Sequence, residues 1–153
     1  DNYIYILNVR FAGDIHFSKK VECDVENVRV PSMILQPVVE NAVNHGIRNI
    51  DWEGHIDLSV ERWNDHIEIS VRDNGLGMTG EQIQRVLSKK VHSSSGEGDS
   101  TGIGMNNVIS RLELYYERDG LMEIYSEGEG MGTEVVINIP LERSEKNVQN
   151  PDC

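Results

Sequence analysis

Pro31-Ser-Met-Ile-Leu-Gln-Pro-Val-Val-Glu-Asn-Ala-Val-Asn-His-Gly46 is the most informative stretch of this chain. Its apolar residues recur with helical spacing: Ile34, Leu35, Val38, Val39, Ala42 and Val43. This pattern predicts a helix with one wide buried face. Pro31 suits the start of the helix, and Gly46 is a natural stop. Pro37 is expected to kink the helix or to leave its first turn irregular.

Strands are predicted on both sides of this helix. Residues 14–25 indicate a strand with a break, and two alternating runs, 56–60 and 67–71, flank Asn64-Asp65 and predict a β-hairpin. A second hairpin is predicted from strands 121–126 and 133–139, closing at Pro140. Each strand of the first hairpin keeps its apolar side chains on one face, so we expect helices to cover one side of the sheet.

Two further helices are predicted after the first hairpin. Thr79 followed by Gln82 is a capping box that opens a short helix through about Val91. A helical stripe predicts a helix that begins at the glycines of residues 102–104 and ends near Gly120; its members are Met105, Val108, Ile109, Leu112 and Tyr116. Between the two helices, residues 92–104 are rich in Gly and Ser and predict a mobile loop.

Composition excludes several classes of protein. The 153 residues include 14 Lys and Arg against 26 Asp and Glu, a net charge of −12, which disfavours nucleic acid or a membrane surface as the main partner. No window approaches the roughly 18 apolar residues of a membrane span, so the chain is expected not to be membrane-inserted. Cys23 and Cys153 form neither a disulfide framework nor a zinc site. These features favour one soluble globular domain in the cytoplasm.

Asn41 and His45 are the first candidates for chemistry, because they lie off the apolar stripe and share a helix face. An amide oxygen at Asn41 would suit Mg²⁺, and His45 would reach a phosphate oxygen. The alternative is structural: Asn41 would bind a neighbouring loop, and His45 would stabilise the helix end through the dipole.

Asp73-Asn-Gly-Leu-Gly77-Met78 is the second candidate, with an Asp at the end of a strand and glycines two residues apart. Such an Asp would accept a hydrogen bond from the adenine amino group, while Gly75 and Gly77 would let backbone approach the ring. A plain Asp-Asn-Gly turn is the alternative.

Gly102-Ile-Gly-Met-Asn-Asn107 is the third, with glycines that lead into a helix. Free backbone N–H groups and the positive end of the dipole would receive phosphate oxygens there. A flexible loop is the alternative. The segment is neither a P-loop nor a dinucleotide-binding fingerprint.

Together these boxes, in this order and followed by Gly132-Thr133, resemble the N, G1 and G2 boxes of the Bergerat-fold (GHKL-type) ATPases. Specifically, the chain resembles the catalytic ATP-binding domain of YesM/LytS-like sensor histidine kinases. The resemblance covers residues 35–140 and implies an α/β (α+β) two-layer sandwich, with a mixed, mostly antiparallel sheet and helices on one face. Residues 1–12 would be the end of a linker helix from a longer protein, 13–142 the ATP-binding domain, and 143–153 a disordered polar tail.

The resemblance also implies ligands and roles. ATP and Mg²⁺ would bind between the Asn41 helix and the 92–104 loop, which would act as a lid. Asn41 would ligate Mg²⁺, and Asp73 would bind the adenine amino group with support from Thr133. Further nucleotide contacts would come from Asn44, His45, Gly75, Gly77, Met78, Gly102, Gly104 and Met105. The implied reaction transfers the γ-phosphate to a histidine, with Asn41, His45 and, secondarily, Glu40 as the catalytic candidates.

Departures from the family pattern refine these expectations. Related gyrase-type and anti-sigma ATPases have a Glu base where this chain has Pro37, which favours a kinase over a hydrolase. Many histidine kinases have a Lys at the position of Asn44, so phosphate contacts would shift to His45 or to Lys90.

No histidine has the setting of the family's phosphoacceptor: His16 falls in a predicted strand, and surface or turn positions are expected for His55, His66 and His92. The implied partners are therefore a phosphoacceptor and dimerisation segment outside this chain and, indirectly, a response regulator. The parent protein is expected to be membrane-anchored. Two alternatives remain: an anti-sigma-type serine protein kinase and a non-catalytic nucleotide-sensing module.

Overall fold

A single five-stranded sheet forms one layer of the protein. The computed structural model describes residues 15–25, 28–88 and 100–141, without the side chains of residues 23 and 100–103. The strands are β1 (Ile15–Val21), β2 (Gly54–Arg62), β3 (His66–Asp73), β4 (Met122–Tyr125) and β5 (Thr133–Pro140). Their order is β1-β2-β3-β5-β4; β1 runs parallel to β2, and the other neighbours are antiparallel. The prediction of a mixed, mostly antiparallel sheet is confirmed.

Three helices of the described residues form the second layer. They are α1 (Leu35–Asn41), which continues into a π-helix (Ala42–Ile47), α2 (Gly80–Leu87) and α3 (Ser100–Tyr116); a 3₁₀ turn (Cys23–Val25) follows β1. Alternate strand residues and the helical stripes share one hydrophobic core, which includes Val38, Val43, Ile56, Ile69, Val108, Leu112 and Ile137. Helices therefore cover one face of the sheet, as predicted.

Strand register brings two predicted site residues together. Both predicted hairpins are present, and in the β3–β5 pair Asp73 lies opposite Thr133. The β2–β3 turn lies at the far end of the hairpin, so Asp73 ends β3 beside the start of β2, opposite Ile56. The predicted capping box of α2 is also present, since Thr79 Oγ1 accepts from the N–H of Gln82 at 3.2 Å and Gln82 Oε1 accepts from that of Thr79 at 2.8 Å.

The first helix differs from its prediction. It begins at Leu35, not near Pro31, and residues 32–34 before it form a turn and a bend in which Met33 has a φ of +64°, so the start is irregular, as predicted. Pro37 lies in the first turn, where its missing N–H has no helical partner to lose. The other end is irregular too, because Arg48 N donates to Val43 O at 2.9 Å, the five-residue spacing of a π-helix. Gly46 lies inside this π-turn and does not end the helix.

The third helix also differs. It begins at Ser100, so Gly102 and Gly104 lie within the helix and do not precede it, and residues 100–104 are not part of a loop. Glycine is tolerated there because the stripe that follows is fully buried, with Val108 and Leu112 at 0% exposure. Several predictions lie outside the described residues: the 1–12 linker helix, residues 89–99 with Lys90 and His92, and the 143–153 tail.

Candidate functional site

Asp73 is the centre of the candidate site. It is the last residue of β3 and is 5% exposed, and its Oδ1 accepts from Gly75 N at 2.9 Å. Burial raises the pKa of its carboxyl group from an ordinary 3.8 to about 6, although the backbone N–H groups of Gly75 and Thr133 act in the opposite direction. A carboxylate has about four lone-pair directions, so acceptor capacity remains for a further N–H donor.

Three glycines from different elements allow close backbone contacts around Asp73. A Cβ on Gly46, in the π-turn, would lie 2.6 Å from Asp73 Oδ1. One on Gly75 would lie 2.0 Å from Gly46 O, and one on Gly132 would lie 2.1 Å from Asp73 O. No side chain fits at these positions, so glycine is what lets the first helix, the end of β3 and the start of β5 meet around one acid.

Backbone hydrogen bonds hold the loop after Asp73 between two neighbours. Leu76 N donates to Gly46 O at 2.9 Å, and Gly130 N donates to Leu76 O at 2.6 Å. Gly77 has a φ of +74°, and a Cβ there would lie 2.1 Å from Gly128 O. The loop is therefore placed by α1 on one side and by the β4–β5 connection on the other.

Ser126 links the same two loops and was not identified from the sequence. Its Oγ accepts from Met78 N at 3.0 Å and donates to Gly132 O at 2.6 Å. Met78 itself is half-buried against the core. Ser126 belongs to none of the recognised boxes, and it falls at the end of the predicted strand 121–126, so no sequence signal identified it.

Asn41 presents an unsatisfied acceptor. It ends α1, is half-buried, and its Oδ1 is buried with no hydrogen-bond partner. A buried acceptor without a partner costs about 1–3 kcal/mol, which a bound cation or donor would offset. An amide oxygen is also a hard ligand of the kind Mg²⁺ prefers, so the residue fits the predicted metal. Within the described ranges, no group of three His, Cys, Asp or Glu side chains could hold a metal ion.

The other candidates on the first helix face outward. Glu40 Oε1 accepts from Gln36 Nε2 at 3.1 Å on the exposed side, whereas Asn41 Oδ1 is buried. Asn44 and His45 are exposed. Gly46, five residues after Asn41, joins this helix to Asp73, so the structure brings the two predicted motifs together through a glycine whose predicted role was only to end the helix.

Residues of the third box occupy different settings. Met105 is 1% exposed and packs in the core, so it does not shape the surface of a phosphate loop as expected. Gly104 lies against the first helix, where an added Cβ would be 3.9 Å from Pro37 Cβ, an ordinary contact. Thr133 is buried opposite Asp73.

The histidines lie apart from these residues of the site. His55 is exposed, as predicted, and its ring stacks on that of His16, which is also exposed, at a distance of 5.1 Å.

Comparisons with known proteins agree with this arrangement. The chain is 31% identical over 150 residues to the sensor histidine kinase YpdA of Escherichia coli, covering 94% of this chain and 23% of the relative. It is 30% identical over 145 residues to the sensor histidine kinase/phosphatase LytS of Staphylococcus aureus, covering 94% of this chain and 24% of the relative. The chain thus spans about a quarter of the length of these relatives.

Solved structures show the same fold. The catalytic domain of histidine kinase ThkA superposes with a TM-score of 0.65 at 19% identity, covering 91% of this chain and 90% of that one. Among the described residues, no helix has the length and apolar character needed to cross a membrane. Residues 30–143 match the model of one family. The chain belongs to that family, the histidine kinase-, DNA gyrase B- and HSP90-like ATPases.

Proposed function

We propose that this chain is the catalytic domain of a sensor histidine kinase and binds ATP with Mg²⁺. The main support is the buried Asp73 carboxylate at the end of β3, against which the backbone of Gly46 packs. This carboxylate keeps acceptor capacity for a further N–H donor, and the amino group of an adenine ring is a donor of that kind. The names of the two curated relatives, both sensor histidine kinases, support the same class of activity.

Asn41 is proposed to bind Mg²⁺ through its buried Oδ1, the atom without a partner. Bound Mg²⁺ would neutralise charge on the phosphates, and it usually keeps waters and phosphate oxygens as its other ligands. The exposed side chains of Asn44 and His45, on the same helix, are proposed to face the phosphates.

The beginning of α3 is proposed to serve the phosphate end of the nucleotide. A 17-residue helix starts at Ser100, and its first N–H groups have no partner within the helix. They and the positive end of the helix dipole provide a local anion site in a chain whose net charge is −12. Gly102 and Gly104 are proposed to keep side chains out of this region.

The proposed reaction needs a histidine from another segment. Its imidazole nitrogen would attack the γ-phosphorus, the bond to the β–γ bridging oxygen would break, ADP would leave, and the imidazole proton would pass to solvent. The chain contributes positioning and electrostatic stabilisation. Pro37 stands where related ATPases have a Glu base, and Glu40 is paired with Gln36, so neither is placed to activate water. A response regulator would then take the phosphoryl group, and the parent protein would be membrane-anchored with this domain in the cytoplasm.

Calorimetry on the 153-residue chain tests the binding part. ADP is titrated with and without Mg²⁺ into the wild type and into Asp73→Asn, Asn41→Ala and Asn64→Ala, the last a control in the exposed β2–β3 turn. We expect Asp73→Asn to abolish measurable binding, Asn41→Ala to remove only the Mg²⁺ dependence, and Asn64→Ala to match the wild type.

The absence of wild-type binding across the millimolar range would refute the proposal. The phosphotransfer part is tested by adding radiolabelled ATP and the phosphoacceptor segment of the parent protein. Acid-labile phosphohistidine on that segment is the expected product, and acid-stable phosphoserine on a partner would contradict it.

A further inference from the structure

Four hydrogen bonds join the residue after Asp73 to a segment outside every recognised motif. Asn74 Oδ1 accepts from His55 N at 2.7 Å, and Asn74 Nδ2 donates to Glu53 O at 2.9 Å. Asn74 N donates to His55 O at 3.2 Å, and the indole Nε1 of Trp52 donates to Asn74 O at 2.9 Å. Every backbone and side-chain polar group of Asn74 is therefore bound by residues 52–55.

We propose that Asn74 and Trp52 are positioning residues for adenine recognition by Asp73. The inference rests on the proposed function, because it assumes that Asp73 accepts from the adenine amino group. Neither residue is proposed to touch the nucleotide.

The geometry explains how an indirect effect would reach the carboxylate. Asn74 is the single residue between Asp73 and Gly75, and the Gly75 N–H donates to Asp73 Oδ1 at 2.9 Å. Fixing Asn74 on both sides fixes the direction of that N–H, and with it the rotation of the buried carboxylate. These contacts come from residues at and just before the start of β2, where Asp73 is registered with Ile56. The segment that carries the carboxylate is thus held by Gly46 of the first helix and by the beginning of β2.

Trp52 strengthens the case because it contributes a side-chain hydrogen bond to Asn74 although it is largely at the surface. Its side chain is 45% exposed, yet its N–H binds a main-chain carbonyl of the nucleotide motif. Trp63 provides a matched comparison: it is 51% exposed and stacks on His66, at the other end of the same hairpin.

The test measures how strongly the chain prefers a nucleotide with the 6-amino group over one without it, in addition to the affinity for each. ADP is compared with purine riboside 5′-diphosphate, which has hydrogen in place of the 6-amino group and keeps the same phosphates. A hydrogen bond to a charged acceptor predicts that the wild type prefers ADP by about tenfold or more. Binding is measured by calorimetry on the 153-residue chain, well below the melting temperature of each variant.

Two pairs of variants are used. Asn74→Ala removes both side-chain bonds and is expected to reduce the preference for ADP by about tenfold, with Asn64→Ala as its unchanged control. Trp52→Phe keeps the ring and removes one neutral donor, so it is expected to reduce the preference about threefold, with Trp63→Phe unchanged. Affinity for purine riboside 5′-diphosphate is expected to stay within about twofold of wild type in all four variants, because the phosphate contacts are untouched.

Each outcome has a distinct meaning. A wild type that does not distinguish ADP from the analogue refutes the proposed role of Asp73 itself. If the wild type prefers ADP and the Asn74→Ala and Trp52→Phe variants keep the full preference, only the positioning role is overturned. Equal losses for both nucleotides also overturn it, since they show a general loss of structure. Should Asn74→Ala not fold, Trp52→Phe against Trp63→Phe decides the question.

Discussion

Gly46→Ala adds one methyl group at the contact between the first helix and Asp73. The added Cβ would lie 2.6 Å from Asp73 Oδ1, 2.7 Å from Cγ and 3.0 Å from Oδ2. Ordinary contact begins at 3.4 Å, so either the carboxylate or the helix must move by about 0.8 Å. Asp73 is 5% exposed and hydrogen-bonded to Gly75, so it has little room to rotate away.

Two opposing effects determine how much Gly46→Ala changes the free energy of unfolding. Overpacking a buried site costs about 1–3 kcal/mol. Replacing glycine by alanine in a helical conformation stabilises by about 0.5–1 kcal/mol, and Gly46 has no positive φ that would forbid this gain. The net loss in the free energy of unfolding is about 1 kcal/mol, which lowers the melting temperature by about 2–4 °C for a chain of this size. A displacement of this size also disrupts an amine–carboxylate hydrogen bond, so ADP affinity is expected to fall about tenfold or more.

Thermal unfolding and calorimetry with ADP measure the two effects, and Gly80→Ala is the control. Gly80 is the first residue of α2, and a Cβ there meets nothing within 4 Å. Gly80→Ala is therefore expected to keep or raise the melting temperature and to leave ADP affinity unchanged. A Gly46→Ala variant with the stability and the ADP affinity of the wild type would show that the helix does not press on Asp73, and the reasoning would fail.

Because burial raises the pKa of Asp73 to about 6, the folded chain holds that proton more tightly than the unfolded chain. The free energy of unfolding should therefore fall by about 2 kcal/mol as the pH rises from 4 to 7, and urea titrations of Asp73→Asn should lack this component. Over the same range the preference for ADP over purine riboside 5′-diphosphate should rise, because the ionised carboxylate is the better acceptor. Gly132→Ala, with a φ of +74° and a 2.1 Å contact, should prevent folding, while Gly120→Ala, with a φ of +69° and open space, should cost about 1–2 kcal/mol by thermal unfolding. Ser126→Ala leaves the Met78 N–H without its acceptor and should cost about 1–3 kcal/mol and weaken ADP binding, whereas Ser110→Ala should change neither.

Local patterns were sufficient for much of the fold. Alternating runs predicted both hairpins, and the Thr79–Gln82 spacing predicted the start of α2, because in these cases the interaction is made by residues close in the sequence. The order of the boxes predicted the sheet and helix layers through resemblance. The site roles of Asn41 and Asp73 remain predictions, although the structure places both in settings that suit them.

Interactions between distant segments account for the misses. The helix α3 begins at Ser100, before the glycines at which the sequence predicted its start. The low helix propensity of these glycines is overridden because the apolar residues that follow are buried. Ser126 binds across to Met78, 48 residues away, and Trp52 binds across to Asn74, 22 residues away. A single sequence carries no periodicity that reports such pairs.

The π-turn shows most clearly why the site could not be read from local propensity. Local propensity predicted a helix that ended at Gly46, with irregularity expected only at Pro37. In the folded chain the Gly46 carbonyl instead accepts from Leu76 N at 2.9 Å, and Arg48 N reaches back five residues to Val43 O. The Gly46 carbonyl, in the last turn of this helix, thus binds the loop after Asp73, and the bare Cα of Gly46 lies against the Asp73 side chain. π-turns are uncommon and are frequent at functional sites, which agrees with this one lying between the proposed metal ligand and the proposed adenine acid.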